Sequence, residues 1–143
     1  MQQSKHGWIP VMAKEILFVD DTSDWRFMVG AWLHGAGYVV VTAKDSREAL
    51  KQVEQGEPDL AIVDVDLAGE DGITLVKPIK QKHASLPVIL YTGLSHDDDT
   101  ILRFMREGAH QYVRKGKMED LIKAVQVLLD FQEAAGCGST WGT

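Results

Sequence analysis

Five short apolar runs, rich in Val and Ile, recur along the chain at 16–19, 38–42, 60–63, 88–91 and 111–113. Most show little polar alternation, as expected for strands covered on both faces, so they predict a parallel sheet of strands β1 to β5 in that order. Helical periods fill the gaps. Trp25, Met28, Val29, Trp32 and Leu33 fall at i, i+3, i+4, i+7 and i+8, on one face of a helix α1 with Ser23 or Asp24 as N-cap and Gly35 and Gly37 as stop. Helix α2 is expected over 46–55, closed by Gly56 and Pro58, and α3 over 72–83, where Pro78 should kink or shorten it. Asp97, Asp98 and Asp99 offer a cap to α4, whose buried stripe would be Ile101, Leu102 and Met105 up to Gly108. Leu121, Ile122, Val125, Leu128 and Leu129 line one side of α5, expected over 118–135.

Five strands alternating with five helices predict an α/β fold, an open doubly wound parallel sheet between two helical layers with right-handed crossovers. In such sheets ligands bind beyond the carboxyl ends of the strands. The pattern fills 15–135; residues 1–14 are expected to be a flexible arm, and the Gly/Ser-rich 136–143 a flexible tail. A length of 143 residues suits one domain. Fifteen Lys and Arg against 21 Asp and Glu leave a net charge of −6, which argues against direct nucleic-acid binding. The lone Cys137 and the lack of any apolar run near the ~20 residues of a membrane span point to a cytoplasmic protein without membrane contact.

The strand ends carry the chemistry. The run 16–19 leads into Asp20 and Asp21, and the run 60–63 into Asp64, with Asp66 two residues on. Carboxylates gathered on one edge repel one another, and a hard divalent cation such as Mg²⁺ relieves that repulsion. Thr92 follows the fourth run and Lys115 the fifth. A metal site flanked by a hydroxyl and an ammonium suits a phosphoryl group carried on a carboxylate, because cations offset the charge on its oxygens.

The ordered segments ILFVDD, AIVDVDLAGEDG, VILYTG and QYVRKG resemble the receiver domain of bacterial two-component response regulators, chemotaxis regulators among them. The resemblance covers nearly all of 15–135 and implies a flavodoxin-like (βα)5 sandwich with strand order 2-1-3-4-5. It further implies Asp64 as phosphoacceptor, with Mg²⁺ held by Asp20, Asp21, Asp64 and the backbone carbonyl of Asp66. Thr92 and Lys115 would contact the phosphoryl group, Thr92 and Tyr112 would form the switch, and Asp66 and Leu94 would modulate the rate of phosphoryl loss. The implied donor is a sensor histidine kinase or phosphotransfer protein. The implied output is a downstream protein partner, with a homodimer through the α4-β5-α5 face as one form of it. Such a domain is a self-catalysed phosphoacceptor that loses its phosphoryl group spontaneously, rather than a turnover enzyme.

Three positions depart from the family's usual residues: Ala68 and Gly116 stand in place of prolines, and Gly93 in place of alanine. They keep a phosphorylation-independent binding module in view, and Gly116 is expected to aim Lys115 less rigidly. Asp64-Val65-Asp66 also resembles the nucleophile and acid/base pair of haloacid-dehalogenase-like phosphatases, although there the Asp-x-Asp motif ends the first strand, whereas here Asp20 and Asp21 come first. The five histidines lack ligand spacing, and Asp97–Asp99 read as a solvated helix start. Ala124, Val127 and Phe131 form a second apolar line on α5, which with Phe104 suggests a partner surface.

Overall fold

A computed structural model describes residues 13–67, 69–93 and 96–137, with the backbone alone for Glu70 and 130–137. Strands β1 (Glu15–Val19), β2 (Val39–Ala43), β3 (Leu60–Asp64), β4 (Val88–Thr92) and β5 (Gln111–Arg114) form one parallel sheet in the order β2-β1-β3-β4-β5. This is the expected 2-1-3-4-5 order. Helices α1 (Ser23–Gly35), α2 (Ser46–Gly56), α3 (Ile73–Lys82), α4 (Asp98–Arg106) and α5 (Met118–Cys137) connect or follow the strands.

Alternation along each strand divides the interior into two cores. Leu17, Val19, Val63, Val88 and Leu90 pack with Val53 of α2, Val76 and Ile79 of α3 and Phe104 of α4. Ile16, Phe18, Ile62, Ile89 and Tyr91 point the other way, onto Val29 and Leu33 of α1 and Leu121, Val125 and Leu129 of α5. The central strands β1, β3 and β4 are thus buried on both faces, which is why they lack polar alternation. The edge strand β2 is more open and sits one residue later than its apolar run suggested.

Several local expectations change. The N-cap of α1 is Thr22, not Ser23 or Asp24, and its side chain makes no capping bond. Instead the Asp20 carboxylate accepts the Thr22 backbone N–H at 2.9 Å, so the acid at the strand end supplies the acceptor. Only Val29 and Leu33 of the α1 stripe are fully buried, while Met28 and Trp32 face solvent, Trp32 at 48% exposure. The α4 stripe is rotated: Phe104 is its buried residue, and Leu102 is 55% exposed. Ile101, Phe104 and Met105 fall at i, i+3 and i+4 on one face with Phe104 deepest, while Leu102, at i+1, turns away from it. Phe104 is therefore not a surface residue, and Ala124 is likewise buried, leaving Val127 exposed from that second line. The Phe131 side chain lies outside the described residues.

Helix α2 ends with Glu57, rather than glycine, in the left-handed conformation at φ 51°. Pro78 sits inside α3, which runs through it and stops before His83. Asp97 caps α4 as expected, accepting the Thr100 N–H at 2.8 Å. Helix α5 runs on through Gly136 and Cys137, past its expected end. Residues 1–12 of the arm and 138–143 of the tail lie outside the described residues.

Candidate functional site

Strand register assembles the site. Val19 pairs with Val63, so the next residues, Asp20 and Asp64, leave the sheet side by side. Asp64 pairs with Tyr91, which places Thr92 one step further along the neighbouring strand. Thr92 in turn pairs with Arg114, and the Lys115 N–H donates to the Thr92 carbonyl at 2.7 Å. Residues from four strands thereby meet at the carboxyl edge where the strand order reverses.

Asp20, Asp64 and Thr92 are buried, and Asp21 is more open. Asp20, Asp21 and Asp64 each present a carboxylate oxygen within 4.8 Å of the others. The Lys115 ammonium lies 2.9 Å from Asp20 Oδ2 and 3.2 Å from Asp64 Oδ2. The side chains of Asp21, Thr22, Trp25, Asp64, Asp66 and Lys115, with Gly93, line an open cleft of ≈ 430 Å³ at this edge. Asp66 is exposed, and its N–H donates to Asp64 Oδ1 at 3.1 Å.

Burial raises the Asp64 carboxyl to about 6, opposed by the Asp66 N–H and Lys115 and assisted by the Asp20 charge. The Tyr91 hydroxyl is pushed up to about 12, first by burial and then by the charges of Asp20 and Asp64. Among the described residues Asp20, Asp21 and Asp64 crowd their carboxylates together while the Lys115 ammonium bridges only Asp20 and Asp64, so negative charge is in excess there. Closely spaced oxygen donors with excess negative charge fit a hard divalent cation better than a soft metal. Asp20, Asp21 and Asp64 are the residues that could hold it.

Among the described residues the structure gathers Asp20, Asp21, Asp64, Asp66 and Lys115 around one cleft, with Thr92 at its sheet edge. Tyr112 stands apart. Its hydroxyl is hydrogen-bonded to His96 Nδ1 at 2.9 Å, and both rings pack with Phe104 beside α4. Leu94 and Ala68 lie outside the described residues. Gly116 adopts φ 136°, a backbone no proline can enter, so the loop after Lys115 follows a different path from a proline-bearing one.

Four contacts at the site were not readable from the sequence. The Trp25 ring lies with its centroid 4.7 Å from the Lys115 ammonium; the sequence sets Trp25 on the α1 core stripe and close behind the acidic pair, but not beside the lysine. Arg26 Nη1 donates to the Asp20 backbone carbonyl at 2.7 Å, a contact that side-chain charge pattern does not signal. Gly72 donates its N–H to Val65 at 2.7 Å, and a Cβ there would overlap the Asp64 carbonyl oxygen. His96 carries no spacing signal because its partner is 16 residues away.

A sequence model described as the response regulator receiver domain matches residues 16–126, the span of the sheet and most of its helices. The chain belongs to this family. As a receiver it is 36% identical over 104 residues to the alkaline phosphatase synthesis transcriptional regulatory protein PhoP of Bacillus subtilis, covering 73% of this chain. It is 37% identical over 97 residues, 68% of this chain, to the DNA-binding transcriptional regulator NtrC of Escherichia coli. The chain spans 43% of the length of the first relative and 20% of the second. Among solved structures, a CheY-like receiver domain protein from Methanospirillum hungatei superposes with a TM-score of 0.78 at 27% identity, covering 85% of this chain and 98% of that one. The receiver is a phosphoacceptor switch of two-component signalling, and neither the phosphatase nor the phosphorylation-independent reading is favoured. Among the described residues no helix is long and apolar enough to cross a membrane.

Proposed function

We propose that this receiver takes a phosphoryl group from a histidine kinase phosphohistidine onto Asp64, in the presence of Mg²⁺ held by Asp20, Asp21, Asp64 and the Asp66 carbonyl. The observation that carries this reading is the Lys115 ammonium bridging Asp20 and Asp64 at 2.9 and 3.2 Å at the reversal point of the sheet. Mg²⁺ would supply positive charge to the phosphoryl oxygens. An ionised Asp64 oxygen attacks phosphorus; the new O–P bond forms as the N–P bond of the phosphohistidine breaks, and that bond's electron pair returns to the imidazole. With its carboxyl near 6, Asp64 is mostly ionised at neutral pH. Lys115 then pairs with a phosphoryl oxygen, and the Thr92 hydroxyl donates a hydrogen bond to another.

Tyr112 follows that rearrangement and alters the α4-β5-α5 face for a downstream protein partner or a second copy. Phosphoryl loss to water restores the resting form, with Asp66 and Leu94 setting its rate. We place the reaction in the cytoplasm, a reading supported by the lone Cys137 and the acidic chain's lack of a long apolar run. Calorimetric titration with beryllofluoride and Mg²⁺ tests the assignment. Wild type should bind the phosphoryl mimic and Asp64→Asn should not; no binding by wild type contradicts it.

A further inference from the structure

The Lys115 side chain has four rotatable bonds, and the residue that follows it, Gly116, has nothing within 4 Å of where its Cβ would be. Local backbone packing on that side therefore does little to aim the ammonium. Four neighbours surround it instead: Asp20 Oδ2, Asp64 Oδ2, the Trp25 ring at 4.7 Å and the Tyr91 ring at 5.6 Å. The Trp25 ring is itself fixed edge-on against Tyr91, with centroids 6.0 Å apart and planes at 83°.

These neighbours do not fare alike in the reaction proposed above, on which this inference rests. Phosphorylation converts the Asp64 carboxylate to an acyl phosphate, and metal binding draws on the Asp20 carboxylate. Lys115 thereby gives up both carboxylates and must re-aim at a phosphoryl oxygen, so its position depends more on the ring in that state than at rest. The ring faces are unchanged by either event. Of the two, Trp25 is nearer and is the stronger cation–π partner by type. We infer that Trp25 is a positioning residue that holds the Lys115 ammonium over the cleft while its carboxylate partners are engaged, favouring the phosphorylated state. Trp25 acts through Lys115 and does not touch the reacting atoms.

The test uses the full chain and beryllofluoride with Mg²⁺ as probe. Trp25→Leu should bind the mimic about three- to thirtyfold more weakly than wild type, with Trp25→Phe in between and Mg²⁺ affinity unchanged. In a Lys115→Met background the same Trp25→Leu change should cost less than twofold, because the ammonium it served is gone. Equal affinity of Trp25→Leu and wild type overturns the inference, and so does a full loss that persists without Lys115. A second readout needs no phosphoryl mimic. The Lys115 side-chain methylene protons of wild type should show an upfield ring-current shift by NMR that Trp25→Leu removes. If wild type shows that shift yet binds no beryllofluoride, the phosphoacceptor reading falls and the ring's hold on the lysine stands. Absence of the shift overturns the inference itself.

Discussion

Asp64 holds a carboxyl at about 6 against an ordinary 3.8, mainly because it is buried. The unfolded chain releases that proton near the ordinary value, so between about pH 4 and 6 the folded state binds more protons and stability falls as pH rises. Above that window the penalty remains, on the order of 1–2 kcal/mol after allowing for solvent screening of the carboxyl at the open cleft. Asp64→Asn removes it. In chelator, the variant should melt above wild type at about pH 7, with the gap closing as pH falls toward 4. Melts across that range check the sign; a variant less stable than wild type at neutral pH contradicts it. Asp20 and Asp64 were legible in the sequence because an acid directly after an apolar run must emerge at a strand end; Lys115, with Arg114 between it and the run, was legible through the resemblance of the segment QYVRKG. Trp25 was not, because helical period reports which face a residue occupies and not which neighbouring strand's lysine lies beneath its ring.

Helix α4 and the start of α3 show where one-dimensional pattern stops. The stripe read from the sequence put Leu102 in the core of α4, whereas Phe104 is 1% exposed there and packs edge-on against His96 and at a tilt against Tyr112. Phe104→Ala should therefore cost about 3–4 kcal/mol, while Leu102→Ala should stay within about 0.5 kcal/mol, by denaturant melts. Comparable losses from both would contradict the observed rotation of α4. Gly72 was visible as part of a loop motif, but its physical reason was hidden: α3 begins against the Asp64 carbonyl, with no room for a Cβ. Gly72→Ala should lower stability by about 2 kcal/mol or more and weaken beryllofluoride binding as the Asp64 loop shifts. Wild-type stability in that variant would contradict so close an approach. The three central strands were readable because burial on both faces leaves little alternative to an unbroken apolar run, whereas the edge strands β2 and β5 are half-open, and β2 shifted by one residue.

Across the whole molecule, the sheet order brings acids from β1 and β3 and a lysine from the end of β5 to one edge, although Asp20 and Lys115 stand 95 residues apart. The net charge of −6 is thus concentrated in part where a divalent cation fits. The exposed Leu102 leaves an apolar position on α4 for a second copy or partner. Light scattering after chromatography, with and without beryllofluoride, should show a larger species with the mimic that Leu102→Asp abolishes; a monomer under both conditions contradicts a homodimer on this face. The central claim is covalent chemistry at Asp64. Intact-mass measurement after incubation with acetyl phosphate and Mg²⁺ tests it most directly: wild type should gain one phosphoryl group and Asp64→Asn none. An unmodified wild type, or an equal gain on the variant, would contradict it.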